Sequence, residues 1–158
     1  MLDYVYGQDE IVAPFVAQLI PHCHRGFGPN VKTIGVISDG DLIYGCVYHN
    51  YDPEAEIIEM SGAAIPHRQW LTRATLARLY AYPFLELRCQ MVVMRVPADN
   101  EYLLGILARY GYVFHRINRL FGHDRDGVVC TLTYEDWIEN RFNQKLRYQE
   151  FKQQEAAE

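Results

Sequence analysis

Paired cysteines, a basic excess and long apolar runs are all missing from this 158-residue sequence. The four cysteines, Cys23, Cys46, Cys89 and Cys130, form no Cys-x-x-Cys pair. Three of them sit in apolar, strand-like runs, where cysteine behaves as a small buried hydrophobe. His22-Cys23-His24 has no second pair to complete a tetrahedral zinc set, so no metal is expected. A formal charge of −5 argues against a sequence-independent grip on nucleic acid, which needs an excess of Lys and Arg. No apolar run approaches the roughly 18 residues that span a bilayer, and the opening MLDYVYGQDE lacks the apolar segment of a signal peptide. The expectation is a cytoplasmic protein without a membrane partner.

What is present is ordinary for a globular chain of one domain's size, with 49% apolar and 22% charged residues. Twelve tyrosines lift the aromatic share to 13%, and composition alone offers no reason for them. Residues 2–6 alternate as a short strand. Asp9 is placed to cap a helix over residues 10–20, with Ile11, Val12, Phe15, Val16 and Leu19 inward and Pro21 as its stop. Residues 21–30 hold two prolines and two glycines and read as a loop. Residues 31–38 and 42–48 are apolar, β-branched runs around Asp39-Gly40-Asp41, a hairpin signal. Asn50-Tyr51-Asp52-Pro53 predicts the next turn, and residues 56–65 the next strand.

A helix over residues 71–82 follows, with Leu71, Ala74, Leu76, Leu79 and Tyr80 inward and Pro83 interrupting it. Residues 90–96 read as a strand buried on both faces, and a helix over residues 100–110 ends at Gly111. Residues 112–120 and 128–132 are strands, and Thr133 with Asp136 opens a last helix that turns polar. The predicted order is β-α-β-β-β-α-β-α-β-β-α, an α/β fold with a mixed, mostly antiparallel sheet. The crossover from the fourth strand to the fifth makes a central parallel pair. Residues 1–133 are expected to be the folded domain and 134–158 a polar helical tail.

This order, together with Asn100 and Gly111 eleven residues apart and the following Tyr112-Val113-Phe114, resembles the GNAT N-acetyltransferases over nearly the whole chain. Residues 66–73 fall where that family keeps its pyrophosphate loop. The resemblance implies transfer of an acyl group, most simply acetyl from acetyl-CoA, to an amine by direct attack. The acceptor is a small molecule or a protein, and GNAT-like domains often form homo-oligomers. A bulged fourth strand splayed from the fifth is implied, with the pantetheine arm paired to exposed backbone. Gly62-Ala63-Ala64 suits such a close approach, and the N–H groups around Ala64 and Ile65 would polarise the thioester. Arg68, Arg73 and Asn100 would hold the cofactor, with the pyrophosphate at a helix N-terminus. Two positions depart from the pattern. Leu71 and Arg73 replace the loop glycines, so Arg68 and Arg73 must grip phosphate through charge-assisted hydrogen bonds instead. Leu107 stands where many members have the tyrosine that protonates the leaving thiolate.

Acyl transfer needs a deprotonated amine, so a base near the fourth strand is expected. Glu59 is the candidate, sharing one strand face with Ser61. An acid within an apolar strand is paired or catalytic, and a solvated Glu59, or one paired with Arg95, is the alternative. Trp70 stacks on adenine or packs at the helix start. His22, His24 and Arg25 lie on the loop that lines the acceptor side in the family, or are simply polar loop residues. His115, Arg116 and Arg119 offer a basic stripe to an acidic partner, or form a solvated sheet edge. A second reading comes from a different class. HRQWLTR and LTYEDWIENRFN are similar in general look to GNAT-like proteins of tailed phages and prophages, some of them virion or host-interaction components. Under it the chain is a catalytically silent subunit with a phage-protein partner, in host cytoplasm or virion.

Overall fold

The computed structural model describes residues 1–143, 152, 153 and 155–157, and divides the chain into two compact units, Met1–Met94 and Arg95–Glu158. The first unit holds β1 (Leu2–Tyr6), α1 (Asp9–Leu19), β2 (Lys32–Ser38), β3 (Asp41–Asp52), β4 (Ile57–Ala64), α2 (Arg73–Ala81) and the start of β5 (Met91–Pro97). β1 to β4 pair antiparallel in sequence order, and β4 pairs with β5 in parallel, as the crossover predicts. The β2–β3 turn is the expected hairpin, with Asp39 at φ 51° and Gly40 at φ 83°.

Helix α1 lies against one face of these strands. Gly35 and Gly45 let it come close, because a Cβ on Gly45 would sit 2.6 Å from Val16 Cγ2 and 2.8 Å from Val12 Cγ1. Val12, Val16 and Val47 form the buried centre of this packing. Two expectations for α1 need correction. Gln8 occupies the N-cap position without a side-chain bond, and Asp9 instead accepts from the Thr33 hydroxyl at 2.7 Å. Ile11 and Leu19 are exposed, because the contact is narrower than the apolar stripe.

The opposite face explains many of the tyrosines. Alternation along β3 turns Tyr44, Cys46 and Tyr48 to this side, under α2. Tyr44 stacks on Trp70 at 3.8 Å, and Tyr4 hydrogen-bonds Thr75 at 2.9 Å. Tyr48 donates to the Leu79 carbonyl at 2.5 Å. That carbonyl is available because Pro83, four residues on, has no N–H to offer it. The helix therefore changes at Pro83 into a π-turn over Tyr82–Glu86, where Leu87 N–H reaches Tyr82 O at 3.0 Å. Thr72 caps α2 by accepting from Thr75 N–H at 3.1 Å, so Leu71 precedes the helix, Thr75 is buried and Ala74 faces solvent. β5 is less covered than its apolar run implies, since Arg95 is exposed. Burial pushes the Cys46 and Cys130 thiols up to about 12 and Cys89 to about 11, which keeps all three protonated and unreactive.

Gly62 serves this face too. A Cβ there would collide with the Tyr44 hydroxyl and ring. Gly62→Ala is therefore expected to cost about 1–3 kcal/mol in urea unfolding, because Tyr44 is held between β4 and Trp70 and has nowhere to move.

The second unit contains α3 (Glu101–Tyr110), β6 (Val113–Ile117), β7 (Gly127–Thr133) and α4 (Tyr134–Glu139), with β6 and β7 antiparallel. Its helix ends follow the sequence signals. Asn100 accepts from Leu103 N–H at 3.2 Å, Gly111 adopts φ 114°, and Thr133 accepts from Asp136 N–H at 3.2 Å. Trp137 of α4 is 1% exposed and donates to the Tyr110 hydroxyl at 3.0 Å. Of the expected polar tail, residues 144–151, 154 and 158 lie outside the described residues.

Candidate functional site

The parallel register of β4 with β5 runs Ile57↔Met91, Ile58↔Val92 and Glu59↔Val93, and ends there. β4 continues to Ala64, with register partners on β3 alone. The Ile65 N–H donates back to the Ile43 carbonyl at 2.8 Å, so it is not an open donor for a thioester. Hydrogen-bonding directions alternate along a strand, which turns the Gly62 and Ala64 N–H groups to the opposite edge, beyond the last β5 pair.

Glu59 stands where that pairing stops, directly opposite His49 of β3. The two side chains are 12% and 5% exposed, with His49 Nε2 3.8 Å from Glu59 Oε2. His49 Nε2 also lies 2.9 Å from Ser61 Oγ. A third group arrives through a strand irregularity. Between His49↔Glu59 and Asp52↔Ile57, β3 advances three residues while β4 advances two. This is a β-bulge at Asn50-Tyr51, with Asn50 at φ 52°. The expected turn at Asn50 is thus continued strand, and the turn falls at residues 53–56, where Asp52 Oδ1 accepts from the N–H groups of Glu54 and Ala55. The bulge brings Asn50 to the same side as His49. Its Nδ2 donates to Glu59 Oε1 at 3.1 Å and lies 3.3 Å from His49 Nδ1.

These contacts assign the protons. The Asn50 amide nitrogen faces a carboxylate and therefore donates, so His49 Nδ1 accepts and neutral His49 carries its proton on Nε2. Nε2–H then donates to Ser61 Oγ. Phe27 covers the imidazole, with ring centroids 4.9 Å apart. Alternation identified Glu59 and Ser61 in the sequence. His49 and Asn50 were missed, and the sequence carried no signal for them, since strand partners and bulges are set by register.

The remaining predicted residues are more dispersed. Arg68 donates to the Ser38 carbonyl at 3.2 Å and pairs with Asp41 at 3.5 Å, which ties residues 66–72 to the β2–β3 hairpin. His67, just before Arg68, has φ 65°. Arg73 is the exposed first residue of α2, where N–H groups lack helical partners. Trp70 packs on Tyr44. Asn100, in the second unit, spends its side chain on capping α3. Leu107 is buried, and Tyr110 is buried with its hydroxyl raised to about 12 by desolvation. Arg116 and Arg119 engage Asp126. The Arg119 N–H at 3.0 Å and the Arg116 guanidinium at 2.9 Å hold that carboxyl below its usual range. His115 lies 3.3 Å from Thr131 Oγ1, so much of the basic stripe is spent on internal contacts.

No protein-family profile and no curated protein matches the sequence. Solved structures do. Spermidine/spermine N-acetyltransferase of Vibrio cholerae superposes with a TM-score of 0.70 at 14% identity, covering 87% of this chain and 98% of the other. The fold is the GNAT fold. The structure of a "putative acetyltransferase" from T. thermophilus gives 0.64 at 18% identity, covering 77% and 68%. A "probable acetyltransferase" gives 0.60 at 22% identity, and this chain spans 64% of its length. The seven strands described here, mostly antiparallel with the one parallel β4–β5 pair, match that fold. Among the described residues no helix is long and apolar enough to cross a membrane.

Proposed function

We propose that this protein transfers an acyl group, acetyl in the simplest case, from an acyl-CoA to an amine. The observation that carries the proposal is the nearly buried Glu59, held by Asn50 beside His49 at the point where β4 parts from β5. Glu59 takes a proton from the acceptor amine, directly or through one water, while the amine attacks the thioester carbonyl. The Ala64 N–H, on the open edge of β4, is the backbone donor suited to the developing oxyanion. Gly62 and Ala64 offer that edge to the amide groups of a pantetheine arm. Arg73, at the N-terminus of α2, supplies charge for the pyrophosphate. Arg68 contributes by fixing the loop, and its contact with Asp41 leaves less of it for phosphate. With Leu107 in the usual tyrosine position, the leaving thiolate takes its proton from solvent.

One observation favours the second reading, a catalytically silent GNAT-fold subunit of a phage or host assembly. The segment at residues 66–72 is anchored by Arg68 and Trp70, where a phosphate-binding loop is usually glycine-rich. Calorimetric titration with acetyl-CoA separates the two. Dissociation constants of about micromolar, weakened about tenfold by Arg73→Ala, are expected for the transferase. Absence of heat at millimolar acetyl-CoA would sink it.

A further inference from the structure

Helix α1 and the loop that follows it border an open cavity of about 400 Å³, on the scale of a small-molecule site. Ala13, Ala17, Phe27 and Val31 make its walls apolar, and His24 and Arg25 add two basic groups. No Asp or Glu lines it. The chain as a whole is acidic, at −5, yet the exposed Arg25 side chain makes no hydrogen bond or ion pair among the described residues. His24 Nδ1 donates to the Pro21 carbonyl at 2.9 Å, which steadies the ring and leaves Nε2 for a ligand. Phe27 connects this cavity to the candidate site, since its ring both lines the cavity and packs on His49.

We infer that the cavity seats the body of the acceptor, and that the acceptor carries a carboxylate and an amine at opposite ends of an apolar spacer. This rests on the acyl-transfer reading. The apolar walls take the spacer, and the Arg25 guanidinium takes the carboxylate in a two-pronged, charge-assisted contact. Beyond Phe27 the amine reaches Glu59. A polycation such as spermidine would set a second cation against Arg25, where no Asp or Glu lines the cavity, so its exclusion is part of the inference.

Three related probes test it by calorimetry and by an acetyl-transfer assay: 4-(aminomethyl)benzoate, 4-methylbenzoate, which lacks the amine, and benzylamine, which lacks the carboxylate. Both carboxylates are expected to bind, and benzylamine about tenfold more weakly or worse, matching the loss of one charge-assisted contact. Arg25→Ala and Arg25→Gln should remove that advantage while leaving benzylamine unaffected. With acetyl-CoA, 4-(aminomethyl)benzoate should show the higher kcat/KM, and only in chains that retain Arg25. Spermidine should fail to compete. If benzylamine and its carboxylate derivative bind and react alike, or if the Arg25 variants change nothing, the inference is overturned even though transfer occurs. If 4-methylbenzoate binds in an Arg25-dependent way but no amine is acetylated, the cavity's anion specificity stands and the transferase reading fails.

Discussion

Glu59→Gln is expected to lower kcat for acetyl transfer by roughly 10²–10³-fold, within the range that general acid–base catalysis contributes. Glutamine keeps a carbonyl oxygen for the Asn50 amide at nearly the same place, so the bulge and the β3–β4 register should survive. It cannot take a proton. Melting temperature and acetyl-CoA affinity should therefore stay close to those of the unaltered protein. Asn50→Ala and His49→Ala bear on the same point differently, because they remove the groups that hold Glu59 and do not remove the base. Their losses should be smaller. Full activity in Glu59→Gln would overturn the assignment of the base.

Trp137→Ala should cost about 3–5 kcal/mol in urea unfolding, the usual range for truncating a buried tryptophan. The side chain is 1% exposed, its indole N–H satisfies Tyr110, and its own carbonyl accepts from Asn143 Nδ2 at 2.6 Å. Trp137→Phe should cost less, because it keeps much of the buried area and loses one hydrogen bond. The contrast matters for the C-terminal segment, which reads in the sequence as a polar extension. A loss below about 1 kcal/mol for Trp137→Ala would mean that α4 adds little to folding, since surface substitutions usually fall in that range.

Much of the candidate site was legible as two residues and illegible as a cluster. Glu59 and Ser61 are two apart on one strand, and alternation puts them on one face whatever surrounds them. His49 joins them only because β3 pairs with β4 in one register. Asn50 joins only because an extra residue turns its side chain to the wrong face for a regular strand. The tyrosines follow the same logic. Their number is a compositional oddity until β3 turns Tyr44 and Tyr48 under α2, where one stacks on Trp70 and the other fills the acceptor that Pro83 leaves unmatched. Arg68 shows the converse, a residue whose charge suggested phosphate and whose nearest carboxylate proved to be Asp41.

By itself the sequence determined the order of the elements and the ends of several of them. Asp39-Gly40, Asn100, Gly111 and Thr133 act within about four residues, through backbone sterics and single hydrogen bonds, and such effects hardly depend on the rest of the chain. Only the tertiary structure decided which side chains meet across strands, and which donors on β4 remain open. Those outcomes follow from register, from the bulge at Asn50, and from the close seating of α1 on Gly35 and Gly45. Each is a balance of many distant contacts, so no local pattern encodes it.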